Sequence, residues 1–208
     1  MSHGAVTHLC IVRHGESVWN VERRVQGQLD PALTELGLRQ ARAVAERLRS
    51  ERWDALYSSD LARARTTAEC IGQAVGLPVR VRRDLRERSQ GRLEGLLASE
   101  ARSRYPDWDA PEVGRETVEA LRERAKEAFG SIVAAHPGER VLVVAHGALI
   151  YVYLEHLSSL GAGDGGVQME NTAITRIEWA DRPRLVCVND TAHLKGGGLR
   201  RTDSLRMA

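Results

Sequence analysis

The sequence predicts an α/β domain: a three-layer α/β/α sandwich with a mainly parallel sheet, an antiparallel edge strand, and helices on both faces. Three observations carry this reading. Short apolar runs of strand length alternate along the chain with amphipathic runs of helical period. The most strand-like runs stop abruptly at glycine-bearing turns. Near the C-terminus, two alternating segments, 172–179 and 184–189, face each other across a short turn.

Each element follows in order. Residues 7–12 (T-H-L-C-I-V) form an apolar run that ends at Arg13-His14-Gly15 and reads as a buried strand. A polar loop continues through Pro31, and Thr34 is positioned to cap the next segment. From there to Ser50, Leu38, Ala41, Ala45 and Leu48 recur at helical spacing. Residues 53–57 make a second strand; Ser58-Ser59-Asp60 is expected to cap a helix reaching Val75, which Gly76-Leu77-Pro78 breaks. Residues 79–81 make a third strand. The span 84–117 is the least regular, with a short helix near 97–104. Val118, Leu121, Ala125, Phe129 and Ile132 mark a long helix over 116–135, ended by His136-Pro137-Gly138. Residues 140–145 (R-V-L-V-V-A) are a further strand, stopping at His146-Gly147, with a helix from there to about Ser159. The antiparallel pair closes the sheet. The domain is expected to span 1–194, and the Gly-rich, polar stretch 195–208 to be a frayed tail.

Composition narrows the function classes. The chain has 208 residues, a length for one sizeable domain, and 42% of it is apolar. Charge is abundant but balanced, at a formal +2, which argues against a nucleic-acid partner. Cys10, Cys70 and Cys187 form no CxxC pair and read as thiols of a reduced compartment. No signal peptide is visible, and no run approaches the roughly 18 apolar residues of a membrane span. The expected location is therefore cytoplasmic, with no membrane partner.

Two buried strands ending in histidine are the chemical signal. Ligands of open α/β sheets bind beyond the carboxyl ends of the strands, which is where His14 and His146 fall. Glycine after each lets the backbone turn sharply and a ligand come close. Either histidine alone reads as a polar cap; the pair, one preceded by Arg13, points to chemistry. Arg63 falls in the first turn of a helix, where the N-terminus and a guanidinium together favour an anion. Glu87, flanked by arginines and glycines, has the chemistry to give a proton to a leaving group, although composition alone favours a surface ion pair.

The residues then line up with a known family. Leu9-Cys10-Ile11-Val12-Arg13-His14-Gly15-Glu16-Ser17-Val18-Trp19-Asn20 resembles the signature of the histidine phosphatase superfamily, the phosphoglycerate mutase-like proteins. Gln26-Gly27 to Asp30, Leu33 to Gly37, Gln40-Ala41, Tyr57 to Glu69, Leu85 to Gly95, Val143 to Gly147, Asn171 and Asn189 to Leu194 resemble its later blocks in order. The resemblance implies that His14 is the nucleophile and that Arg13, Arg63 and a cationic His146 hold the phosphoryl oxygens. Asn20 is a further donor, Gln26, Gly27 and Arg88 contact substrate, and Glu87 is the acid and then the base. Phosphoryl transfer needs positioning and charge neutralisation above all. The attacking nitrogen must be neutral, with its partner nitrogen donating to a backbone carbonyl and the arginines lowering its pKa.

No metal-ligand spacing competes with this reading, so neither a metal nor another cofactor is expected. His3, His8, His136, His156 and His193 read as non-catalytic. The chain departs from the family pattern at Leu93, where an aromatic is usual, and at Gly114-Arg115-Glu116-Thr117, where Gly-Glu-Ser is usual; both bear on substrate choice. The short connection between the two histidines favours a phosphatase over a cofactor-dependent phosphoglycerate mutase, whose longer insertion shields the phosphoenzyme from water. A phosphate-binding regulator without turnover is the alternative from another class. The expected partner is a small phosphorylated metabolite such as phosphoglycerate, phosphoserine or a sugar phosphate, bound by a monomer or homodimer. Arg88, Arg92, Arg102, Arg104 and Arg115 read mostly as solvated, with some of them candidates to face a second anionic group.

Overall fold

A computed structural model describes residues 5–161, 169–195 and 198–199. Strand β1 (Thr7–Arg13) is followed by a one-turn helix α1 (Val18–Val21), α2 (Glu35–Arg49), β2 (Ala55–Ser59), α3 (Ala62–Val75) and β3 (Val79–Arg82). Then come α4 (Ala98–Arg104), α5 (Val118–Ala135), β4 (Arg140–Ala145), α6 (Gly147–Ser159), β5 (Ile174–Trp179) and β6 (Pro183–Asp190). The sheet order is β3-β2-β4-β1-β5-β6. The pairs β1–β4, β2–β4 and β2–β3 are parallel, whereas β5 runs antiparallel to both β1 and β6. The predicted fold class is the observed one.

The period of two along a strand sorts the core into two layers. Leu9 and Ile11 of β1 and Val141 and Val143 of β4 pack with Leu121, Phe129, Leu149 and Tyr153 of α5 and α6. Cys10 and Val12, with Leu142 and Val144, pack instead with Val44, Leu48, Ala68 and Ile71 of α2 and α3. Both central strands are thus covered on both faces, which is why they read as unbroken apolar runs. Burial of each large side chain contributes on the order of 1.5–3 kcal/mol, so the central strands are the best-anchored part of the sheet.

Several boundaries differ from the sequence expectation, each for a physical reason. Strand β2 runs to Ser59, so Ser58 and Ser59 are sheet residues and do not cap the next helix. The N-cap of α3, Leu61, has no side-chain cap bond. Instead Asp30 reaches in from the loop before α2, and its Oδ1 accepts from Ala62 N at 2.6 Å. Helix α5 starts at Val118 because Thr117 is its N-cap, accepting from Ala120 N. Strand β5 starts at Ile174, after Thr172, whose left-handed φ of 54° interrupts the extended backbone. The expected tail, 195–208, lies outside the described residues except for 195 and 198–199, and so does His3. Among the described residues no helix is long and apolar enough to cross a membrane.

Candidate active site

Register places the two histidines side by side. Arg13 is paired with Ala145 in the parallel β1–β4 ladder, so His14 and His146 each stand one residue beyond it. Their ring centroids are 5.2 Å apart, and both side chains are buried. His14 N donates to Ala145 O at 3.0 Å, which carries the ladder one step further.

The His14 ring is oriented by its own backbone. Nδ1 lies 2.7 Å from Gly15 O and donates to it, a carbonyl having no proton to give, so Nε2 carries the lone pair. The His14 carbonyl accepts from Asn171 Nδ2 at 3.0 Å. Gly15 N donates to Thr67 Oγ1 at 3.1 Å, and Glu16 N to Gln40 Oε1 at 2.9 Å. The two post-histidine glycines serve different ends. A Cβ at Gly15 would come within 2.6 Å of Gly37 O, and one at Gly37 within 2.0 Å of Glu16 O, so this turn is a backbone-to-backbone contact with α2. A Cβ at Gly147 would meet only ordinary contacts, 3.5 Å from Arg13 Nε and 3.9 Å from Glu87 Oε2. Glycine at 147 keeps the space between those two groups open.

Arg63, carried by the first turn of α3, is 1% exposed. Its Nη1 and Nη2 donate at 2.8 Å to Leu29 O and Gly27 O, so the loop before α2 fixes the guanidinium plane. Arg13 Nη1 donates to Met169 O. Arg13 Nε, Arg63 Nε and both ring nitrogens of His146 are buried without a hydrogen-bond partner among the described residues. Buried donors are ordinarily satisfied, so this grouping of unpaired nitrogens at one sheet end is exceptional. Glu87 joins them: its Oε2 accepts from Ala148 N in the first turn of α6 at 3.2 Å, and its Oε1 from Arg88 N at 2.8 Å.

Electrostatics follow from burial and two guanidinium groups. Burial pushes His14 well below the ordinary histidine range, and the charges of Arg63 and then Arg13 push it further. The sequence reading named the arginines; desolvation is the larger cause. His146 is lowered in the same way, by burial first and then by Arg63, His14 and Arg13. It is therefore neutral in the free protein at neutral pH. Burial brings Arg63 down to about 10, opposed by Glu87, so it stays charged.

The remaining expected residues lie around this group. Ser17 Oγ is 3.0 Å from Asn20 Oδ1 and 2.8 Å from Gln26 Oε1, with one proton to share between them. Gly27, at a left-handed φ of 51°, contributes its carbonyl to Arg63. Arg88 sends its guanidinium to Glu116 O and Asp109, and Arg115 reaches Gln90 and the same Asp109. Their side chains are only 11% and 12% exposed, so these two arginines are not solvated, whereas Arg92, Arg102 and Arg104 are exposed. Thr67, Gln40, Asp30 and Glu94 fall within the family-like blocks of the sequence, which give them no role. Glu94 Oε1 accepts from Gln28 N and Gln90 N and so ties two loops together. What each of the four does is set by a partner distant in sequence, which the motif blocks do not disclose. Among the described residues no group of three or more His, Cys, Asp or Glu side chains is placed to hold a metal ion.

Residues 9–191 match the family described as the histidine phosphatase superfamily (branch 1). The chain is 36% identical over 192 residues to the uncharacterized phosphatase PhoE of Bacillus subtilis, covering 92% of this chain and 98% of that one. It is 36% identical over 208 residues to a metal-independent phosphoserine phosphatase of Arabidopsis thaliana, covering 93% and 85%. Other relatives, from Yersinia, are named as probable phosphoglycerate mutases. The structure of a mycobacterial glucosyl-3-phosphoglycerate phosphatase superposes with a TM-score of 0.76 at 30% identity, covering 89% of this chain and 100% of that one.

Proposed function

This chain belongs to the histidine phosphatase superfamily, branch 1, and on that premise we propose that it is a metal-independent phosphomonoesterase for small phosphorylated metabolites, working through a phosphohistidine on His14. The observation that carries the reading is the group of buried, unpaired nitrogens of Arg13, Arg63 and His146 around a neutral His14 whose Nε2 is free to attack.

The steps balance. Nε2 of His14 attacks phosphorus as the P–O ester bond breaks, and Glu87 gives the leaving oxygen its proton. Water then attacks the phosphohistidine, Glu87 takes the water proton, and inorganic phosphate leaves with His14 restored. Arg13 and Arg63 neutralise the charge on the phosphoryl oxygens throughout. His146 has one N–H to offer when neutral and two when a dianion beside it raises its basicity. The two relatives named as phosphatases of phosphoserine and glucosyl-3-phosphoglycerate support a small phosphate monoester as substrate.

The test is phosphate release from a panel of phosphomonoesters in EDTA, with His14→Ala alongside and 2-phosphoglycerate monitored when 3-phosphoglycerate is supplied. Release that persists in EDTA and is lost in the variant is the expected result. Isomerisation with little free phosphate would replace the phosphatase by a mutase, and phosphate binding without turnover would replace it by a regulator.

A further inference from the structure

Glu87 sits in a stretch without regular secondary structure, yet its carboxylate must be held to a fraction of an ångström if it is to serve the leaving oxygen. What holds it comes from α5, on a residue that no sequence motif singles out. All five N–H bonds of the Arg124 guanidinium are used. Nη1 donates to Asp84 O at 2.9 Å and Arg86 O at 2.6 Å, and Nη2 to Glu87 O at 3.2 Å. Nε and Nη2 grip Glu116 Oε1 and Oε2 at 2.8 and 2.7 Å. Glu116 then holds the far side of the same stretch: its Oε2 accepts from Ser89 N, its N–H donates to Ser89 O, and its carbonyl accepts from Arg88 Nε. Together the pair fastens residues 84, 86, 87, 88 and 89, on both sides of the acid.

We propose that the Arg124–Glu116 pair is the positioning device for the Glu87 carboxylate, fixing the acid loop to α5 so that proton delivery to the leaving group is correctly aimed. The proposal rests on the reading of Glu87 as the acid. All five donors of Arg124 go to residues 84, 86, 87 and 116, and only its charge reaches His146, so replacement by lysine, which keeps that charge, isolates the step in which Glu87 moves a proton. Lysine keeps the charge but has no planar fork of five donors, so it cannot span three carbonyls and a carboxylate together.

The experiment compares kcat/KM for two leaving groups: p-nitrophenyl phosphate, whose phenolate leaves without protonation, and the best alkyl phosphate of the panel, whose alkoxide needs the acid. This ratio reports formation of the phosphoenzyme and excludes the shared hydrolysis step. A small misplacement of a catalytic group costs up to about 100-fold, and general acid help is worth about 100- to 10,000-fold. Arg124→Lys should therefore lose roughly 10- to 100-fold on the alkyl ester. On p-nitrophenyl phosphate it should lose less than about 3-fold, because that leaving group needs no proton. Its affinity for vanadate should stay near that of the parent. Glu116→Gln, a milder change that loosens the grip, should show the same selectivity with a smaller loss, and serves if Arg124→Lys does not fold. Glu87→Gln is the control. If it is selective for the alkyl ester while both clamp variants lose the two substrates equally or not at all, the clamp is overturned and the acid stands. If Glu87→Gln is itself unselective, the acid assignment fails and the clamp with it.

Discussion

Replacing His146 by leucine should make the free protein more stable and abolish its work. The side chain is 0% exposed, and neither ring nitrogen has a hydrogen-bond partner among the described residues. A neutral imidazole carries one donor and one acceptor, and an unsatisfied buried polar group costs about 1–3 kcal/mol. Leucine removes both groups at similar volume, with a repacking cost below about 1.5 kcal/mol. The net gain should be about 1–3 kcal/mol, or roughly 2–12 °C in Tm for a chain of this size. The gain should grow on acidification. His146 has a folded pKa depressed well below the ordinary value, so between those two values the unfolded chain binds the extra proton and the parent loses stability as pH falls below about 6.5. Vanadate should reverse the order. The parent gains about 2.7 kcal/mol at 100 times Kd, whereas the variant, lacking one of the oxygen-binding groups, gains far less at the same concentration. Urea or thermal unfolding at pH 7.5 and 5.5, with and without vanadate, tests all three parts. A variant less stable than the parent without ligand would refute the reasoning, because the imidazole nitrogens would then have been satisfied after all.

Three other outcomes are expected. With correction for the second ionisation of the substrate, the acid limb of kcat/KM should lie well below pH 6.5, since burial and the two arginines keep His14 neutral there; a break near 6.5 would contradict the stated electrostatics. Phosphate binding near neutral pH should take up protons, because a dianion raises the basicity of the depressed His146 imidazole; calorimetry in buffers of differing ionisation enthalpy reads this, and heats that do not vary with buffer argue against it. Gly37→Ala would set a Cβ 2.0 Å from Glu16 O; it should lower stability by about 1–3 kcal/mol and cut activity up to about 100-fold through displacement of the turn after His14, and unaltered activity with an unaltered urea midpoint would count against a tight contact there.

The legible part of the molecule is the part written in apolar residues. Strands β1 and β4 are covered on both faces, so Leu9 to Val12 and Val141 to Ala145 stand out as unbroken runs, and the histidines at their ends are legible with them. Parallel pairing of those strands is what turns two separate sequence signals into one pair of rings 5.2 Å apart. The illegible part is polar and long-range. Asp30 caps α3, Glu94 ties two loops, and Arg124 reaches three carbonyls of the acid loop. Each is a single side chain whose partner is chosen by tertiary proximity, which leaves no periodicity to read.

Glu87 shows how local composition misleads at such a place. Between Arg86 and Arg88 it reads as one member of a surface ion pair. In the structure neither arginine pairs with its carboxylate: Arg86 is spent on Asp60, with bonds of 2.7 and 2.6 Å, and Arg88 on Glu116 O and Asp109. Successive side chains of an extended chain point to opposite sides, so the immediate neighbours of an acid are the residues least able to reach it. The charges that act on Glu87 are Arg13 and Arg63, brought in by β1 and α3. Its hydrogen bonds come from backbone, at Arg88 N and at Ala148 N in the first turn of α6. A helix N-terminus favours a carboxylate, and the one following His146 is supplied by the strand pairing that already sets the histidines together. The site is thus assembled from the ends of buried elements, and the acid joins it because its sequence neighbours are held elsewhere.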